Sequence, residues 1–206
     1  LATSGELCHS IATALGISFE TTREHLRNIR RAGMISFKGH GRGAAEMTTL
    51  DAARLLIATA ASPFTKASVA TVEAFGSLLP NRERRLKANL ETHLANMLQH
   101  LIDEKANLAP AYRRPSQAPE DLKSRMALTF VSAVNSAPAS FPIAAIVRRF
   151  RNEGAAFDFE AVRFTSEALL EPVADATSFA VQTRSAGLIQ TRDVPAWTLA
   201  EIAHSL

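Results

Sequence analysis

Cysteine is nearly absent from this chain: Cys8 stands alone. A single thiol rules out an internal disulfide and a zinc site built from cysteines, and it fits a reducing cytoplasm. Long apolar runs are missing too. No stretch reaches the ~18–20 residues that a membrane span needs, and no signal-peptide pattern opens the chain. A large charge excess is also lacking. The sequence carries 23 basic and 20 acidic side chains, a net charge of +3, so it is not a polycation. There is no Walker loop, dinucleotide fingerprint, HExxH or GxSxG. Three glycines gather in GHGRGAA, but they follow a short expected strand and precede no phosphate-cradling helix. An enzyme is the minor reading, and nothing calls for a cofactor or a metal.

What is present is ample core material. Apolar residues make up 47% of the 206 positions, enough for one large domain or two small ones. The chain opens at Leu1 rather than Met, which leaves open whether a segment precedes it. The basic residues are unevenly placed. Gly5 to Gly43 holds six basic residues against three acids, whereas Arg113 to Leu206 holds ten of each. A local basic patch attracts polyanions.

That patch falls on a patterned stretch. Leu7, Ile11 and Leu15 recur at a spacing of four, with Ala12 and Ala14 between them, and predict one apolar helical face. Gly16 then allows a sharp turn. Ile17 is expected to plug the core. Ser18 is a good N-cap for a second helix, opened by Glu20 and Thr21. Thr22, Leu26 and Ile29 form its inner face, and Gly33 ends it. Arg23, Glu24, Arg27, Asn28, Arg30 and Arg31 occupy the outer faces. The pattern is a helix-turn-helix, with the second helix in the recognition position.

The next residues predict a wing. Met34 to Lys38 reads as a short strand, His40 to Gly43 as a glycine-rich tip, and Ala44 to Thr48 as the returning strand. Thr49 is expected to cap a helix whose apolar stripe is Leu50, Ala53, Leu56 and Ile57.

TTREHLRNIRRAGMI resembles the second helix and first wing strand of winged helix-turn-helix transcription regulators of the ArsR and GntR types. Thr21, His25, Leu26, Ala32 and Gly33 match the family pattern, and Thr22 stands where valine is usual. Gly41 to Gly43 (GRG) resembles the GntR wing tip. The resemblance covers about residues 5–60. It implies that the second helix enters the major groove of double-stranded DNA while the wing touches backbone or minor groove. Carried onto this sequence, Ser18, Thr21, Arg23, Glu24 and Arg27 face the groove, and Lys38, His40 and Arg42 are wing contacts. Arg23 would pair with guanine and Glu24 would accept from a cytosine amino group. Against this stands a plainer reading, in which the arginines solvate a helix face and complement its C-terminal dipole. Winged folds also serve as protein-docking modules.

Beyond Pro63 the pattern changes. A helix is expected over Val69 to Leu79, broken at Pro80-Asn81. Arg82 to Ala106 then predicts one long helix without Gly or Pro. Leu90, Leu94, Met97 and Leu101 alternate spacings of four and three, and Leu86, Leu98 and Ile102 widen the stripe. That is either the seam of a homodimer or a wall packed within the chain. His93 and His100, seven apart on this helix, read as ordinary surface or boundary residues rather than ligands. Leu108 to Leu122, with three prolines, reads as a linker.

Three segments after it, RMALTFVSAV, PIAAIVRRF and FDFEAVRFTS, are rich in β-branched and aromatic residues. They predict a small antiparallel sheet of about three strands, packed on one face by helices, with a turn at Asn152-Glu153-Gly154. AAIVRRFR is equally compatible with a helix. Asp158 and Glu160 share one side of a regular strand; a solvated edge strand accounts for them better than a metal site. Glu167 to Val173 and Pro195 to Leu206 read as helices, the last burying Trp197, Leu199, Ile202 and Ala203. RSAGLI at Arg184 to Ile189 echoes RRAGMI at Arg30 to Ile35.

The sequence therefore predicts an α+β chain: an N-terminal winged helix-turn-helix (1–62), a helical connector (63–112) and an α+β C-terminal part (113–206). The expected function is cytoplasmic, DNA-binding transcription regulation by a homodimer. A protein-docking module and a ligand-sensing regulator, with an effector bound in the C-terminal part, remain as alternatives.

Overall fold

The computed structural model describes residues 2–36, 46–80, 88–107, 126–133, 143–153, 156–165 and 189–206. Within them lie six α-helices: α1 (Ser4–Leu15), α2 (Phe19–Arg31), α3 (Thr49–Ala61), α4 (Ser68–Gly76), α5 (Leu90–Asn107) and α6 (Ala196–Ser205). Five strands accompany them: β1 (Leu79–Pro80), β2 (Met126–Ala133), β3 (Ala144–Glu153), β4 (Ala156–Thr165) and β5 (Ile189–Pro195). The α+β class is as expected.

The first two helices follow local rules. Thr3 opens α1 with a capping box: the Thr3 hydroxyl accepts from the Glu6 amide, and the Glu6 carboxylate accepts from the Thr3 amide at 2.7 Å. Leu7, Ile11, Ala12 and Ala14 are buried, as the spacing predicted. Gly16 takes a left-handed conformation (φ 66°), and the Ile17 amide donates back to the Ala12 carbonyl at 3.0 Å. α2 ends in the same way. Gly33 has φ 75°, and the Met34 amide donates to the Ile29 carbonyl at 3.0 Å. Ile17 does not plug the core. It sits on the turn with 37% of its surface exposed, because the tight return of the backbone leaves its side chain outside the helix pair.

α3 is the centre of the molecule. Its cap is Thr48, not Thr49, closed by a box with Asp51. Instead of one apolar stripe, it buries nearly every residue from Asp51 to Ala61 except Arg54. Its alanines let neighbours approach on all sides, and α2, α4, α5 and β5 pack around it. The hydroxyl of Thr59 donates to the Leu55 carbonyl at 2.7 Å, so that buried polar group is satisfied.

α5 starts at Leu90 rather than Arg82. The Asn89 carboxamide accepts from the Thr92 amide at 3.1 Å, which caps the helix there. The Leu90 amide donates to the Leu78 carbonyl, tying the start of α5 to the end of α4. Residues 81–87 lie outside the described residues, as do the expected linker (108–122), the helix at 167–173 and most of RSAGLI.

The sheet has the order β1-β4-β3-β2-β5, antiparallel throughout. The three expected strands are present, and two short edge strands extend them. AAIVRRFR is a strand. Asn152 and Glu153 belong to it rather than to the turn, because pairing with β4 runs on to Glu153 opposite Ala156. Leu128, Phe130, Ala145, Val147, Val162, Phe164 and Val194 join the helical core. Phe130 meets Phe75 of α4 edge-on at 5.3 Å, and Phe164 lies 5.1 Å from the His93 ring of α5. Val131, Ala144 and Ile146 alternate onto the opposite face and are buried as well.

One hydrophobic core runs from Leu7 to Ala203, across the boundaries expected at 62 and 112. Arg192 of β5 donates to the Ala60 carbonyl (3.0 Å) and the Ser62 carbonyl at the end of α3. Thr198 of α6 donates to the Ala14 carbonyl at the end of α1. The described parts of all three segments thus share this core.

Candidate nucleic-acid interface

α1 and α2 pack together across a three-residue turn, Gly16 to Ser18. The Ser18 hydroxyl accepts from the Thr21 amide at 3.1 Å and lies 2.7 Å from the Thr21 hydroxyl. Both side chains are therefore engaged in the cap. They stay exposed at the helix N-terminus, where backbone N–H groups and the helix dipole favour anions.

The inner face of α2 is firmly held. Thr22, His25, Leu26 and Ile29 are buried. His25 Nδ1 lies 2.8 Å from the Ser68 hydroxyl at the start of α4, and that hydroxyl donates to the Thr65 carbonyl. With the serine proton committed there, Nδ1–H is the donor to Ser68 Oγ. Burial, together with the positive charge of Arg192, pushes the His25 pKa down to about 4. Asn28 donates to the Thr65 carbonyl at 2.8 Å. It was expected on an outer face, yet it anchors the flank of α2.

Opposite this face, the positions 20, 23, 24, 27 and 31 form a stripe at helical spacing. Their side chains are Glu20, Arg23, Glu24, Arg27 and Arg31, all exposed or half-buried. Arg23 pairs with Glu20 at 3.1 Å and Arg27 with Glu24 at 2.8 Å, each three residues along the helix. Arg23, Glu24 and Arg27 were expected here. Arg31, expected on an outer face, and Glu20, expected only to open the helix, complete the stripe.

The expected wing contacts Lys38, His40 and Arg42 lie outside the described residues. The flanks of that segment are described, and they are not strands: neither Met34 to Ser36 nor Glu46 to Thr48 pairs as a ladder. Both flanks bind α3 instead. Ser36 donates its amide to one oxygen of the buried Asp51 carboxylate at 3.0 Å, and Thr48 donates its amide to the other at 2.9 Å. Arg54 adds a bond to the Met34 carbonyl at 2.7 Å. One turn of α3 thereby holds Ser36 and Thr48, on either side of 37–45, on a single carboxylate. Asp51 was not singled out in the sequence; the T-x-x-D spacing from Thr48 could have found its capping role, but its bond to Ser36 has no sequence signal.

Leu90, Leu94 and Met97, expected on a dimer seam, are buried in the chain's own core. Leu101 is partly buried against that core. α3, α4 and α6 pack against this apolar face, while Thr92, Asn96, Gln99, His100 and Asp103 stay exposed on the other. Among the described residues no group of three or more His, Cys, Asp or Glu side chains gathers as a metal site. Cys8 is buried in the core, and burial pushes its thiol up to about 11. No helix among the described residues is long and apolar enough to cross a membrane.

The chain matches no protein-family model, no curated protein and no solved structure.

Proposed function

We propose that this protein is a sequence-specific, double-stranded-DNA-binding transcription regulator of the winged helix-turn-helix kind, with no enzymatic role and a cytoplasmic location. α2 is the recognition helix, and the wing contacts come from the residues between Ser36 and Thr48, which Asp51 binds on both sides. The observation that carries this reading is the two-sidedness of α2. One face is buried and hydrogen-bonded to α4 and its approach; the other presents Arg23, Arg27 and Arg31 in one exposed stripe. A rigidly backed helix with long cationic side chains outward suits a major groove. Lys38 and Arg42, between the two clamped flanks, supply charge for phosphate.

Selection from a randomised duplex pool tests the reading. The protein is expected to enrich a short consensus, and Arg23→Ala/Arg27→Ala is expected to enrich none. An unenriched pool with the wild-type chain contradicts the proposal.

The protein-docking alternative has one observation in its favour. Ile17 and Phe19 each expose 37% of their surface at the turn, with the His9 ring 6.4 Å from Phe19. In the DNA reading these apolar groups meet thymine methyls. In the docking reading they are the anchor for a protein partner.

A further inference from the structure

The outward stripe of α2 is not simply basic. It repeats a pattern of Glu then Arg three residues later: Glu20 with Arg23, Glu24 with Arg27. The third repeat breaks, because Asn28 precedes Arg31 where an acid would stand. Three arginines against two glutamates leave the stripe at +1 rather than +3. Those acids add a little helix stability, Glu20 at the N-terminus and both through i,i+3 pairs, but they add nothing to a grip on phosphate. Each carboxylate repels the DNA backbone and occupies a guanidinium that would otherwise neutralise it.

We infer that Glu20 and Glu24 are specificity-determining residues: they withhold Arg23 and Arg27 from phosphate and release them where a base edge competes. This rests on the DNA-binding reading above. The exposed geometry allows it. The arginine side chains are about half exposed (50% and 49%), and the glutamates are 68% and 40% exposed. Ion pairs this exposed are weak and open easily. Sequence-independent affinity comes from phosphate neutralisation and its released counterions, so an internal carboxylate partner lowers it at every site alike. A guanine presents two acceptors in a fixed geometry that a guanidinium meets with two bonds. There the exchange of partner is favourable. A freed Glu24 can accept from a neighbouring cytosine amino group. The pairs therefore subtract more from random DNA than from a matching site.

The test compares the wild type with Glu20→Gln/Glu24→Gln, Arg23→Ala/Arg27→Ala and a charge-matched control, Glu73→Gln/Glu201→Gln, placed on α4 and α6. The probe is a fluorescent random-sequence duplex, titrated across a salt series, followed by selection from a randomised pool. Glu20→Gln/Glu24→Gln is expected to bind the random duplex about tenfold tighter at low salt, with a steeper salt slope. Its selected consensus is expected to be blurred. The control is expected to change little. Equal tightening by the control, or no tightening by Glu20→Gln/Glu24→Gln, overturns the inference. So does a consensus as sharp as that of the wild type. In those cases weakened binding by Arg23→Ala/Arg27→Ala still leaves the DNA reading standing. If neither wild type nor Glu20→Gln/Glu24→Gln binds any duplex at low salt, the DNA reading fails and this inference with it. Glu20 is exposed and Glu24 half-buried, and unchanged thermal midpoints establish that the variants are folded.

Discussion

Arg54 and Glu91, one on α3 and one on α5, meet in a forked ion pair at 2.9 and 3.3 Å. The same guanidinium donates to the Met34 carbonyl, so this pair links the chain just after α2 to α5. The hydrogen bond to Glu91 holds the arginine's proton more firmly than usual. Gly76 of α4 sits against the carboxylate, and a Cβ there would come within 3.2 Å of Glu91 Oε2. Arg54→Met is expected to cost about 2 kcal/mol, because it leaves a partly buried carboxylate and a carbonyl without their donor. Glu91→Gln keeps an acceptor and is expected to cost about 1 kcal/mol. Urea denaturation of both variants measures the difference, and equal costs contradict the account.

His25 gives the fold a defined acid sensitivity. Its folded pKa of about 4 lies below the ordinary histidine value of 6.5. The unfolded chain therefore binds the proton first as pH falls. The stability from keeping His25 neutral is complete above pH ~6.5 and is lost progressively down to pH ~4, by up to about 3 kcal/mol. Burial moves His93 in the same direction, so the wild-type curve alone does not isolate His25. His25→Gln retains a donor for Ser68 and does not titrate. Its stability is expected to fall less steeply between pH 6.5 and 4 than that of the wild type. Parallel curves contradict the assignment.

Leu98 is fully buried in the wall that α5 forms within the core. Leu98→Ala is expected to cost about 2–5 kcal/mol. The unfolding midpoint of the wild type is expected to be independent of protein concentration. A midpoint that rises with concentration shows stabilisation by association and returns weight to a dimer on another surface.

Cys8 is expected to be inert. Its thiol is buried, with a pKa pushed up to about 11, so little thiolate exists at neutral pH. Alkylation of the native protein should be slow and should become rapid in denaturant. Fast alkylation of the native state contradicts the burial of α1 against the core.

Much of the first 35 residues was legible, because local rules decide it. Gly16, Ser18, Gly33 and the spacing of Leu7, Ile11, Leu26 and Ile29 depend on neighbours within one helical turn. The fate of α5 was not. Leu90, Leu94 and Met97 show the same stripe whether it faces a second copy or α3, and only the tertiary fold chooses. Long-range polar pairs were equally hidden: Arg54 and Glu91 are separated by 37 positions, and His25 and Ser68 by 43. β1 and β5 were missed because Leu79–Pro80 and IQTRDVP carry too few alternating apolar residues for a strand signal. Of the site, the arginine stripe was readable from spacing alone. Its glutamate partners were visible as letters, but their pairing required the structure.

The outward stripe of α2 is proposed to bind DNA. Binding of a fluorescent random duplex, measured from ~50 to 200 mM salt, tests it most directly. Affinity is expected to fall steeply with salt, and Arg23→Ala/Arg27→Ala and Arg31→Ala are each expected to weaken it and flatten the slope. Absence of binding at low salt, or binding that none of these substitutions changes, contradicts it and favours a protein partner at Ile17 and Phe19.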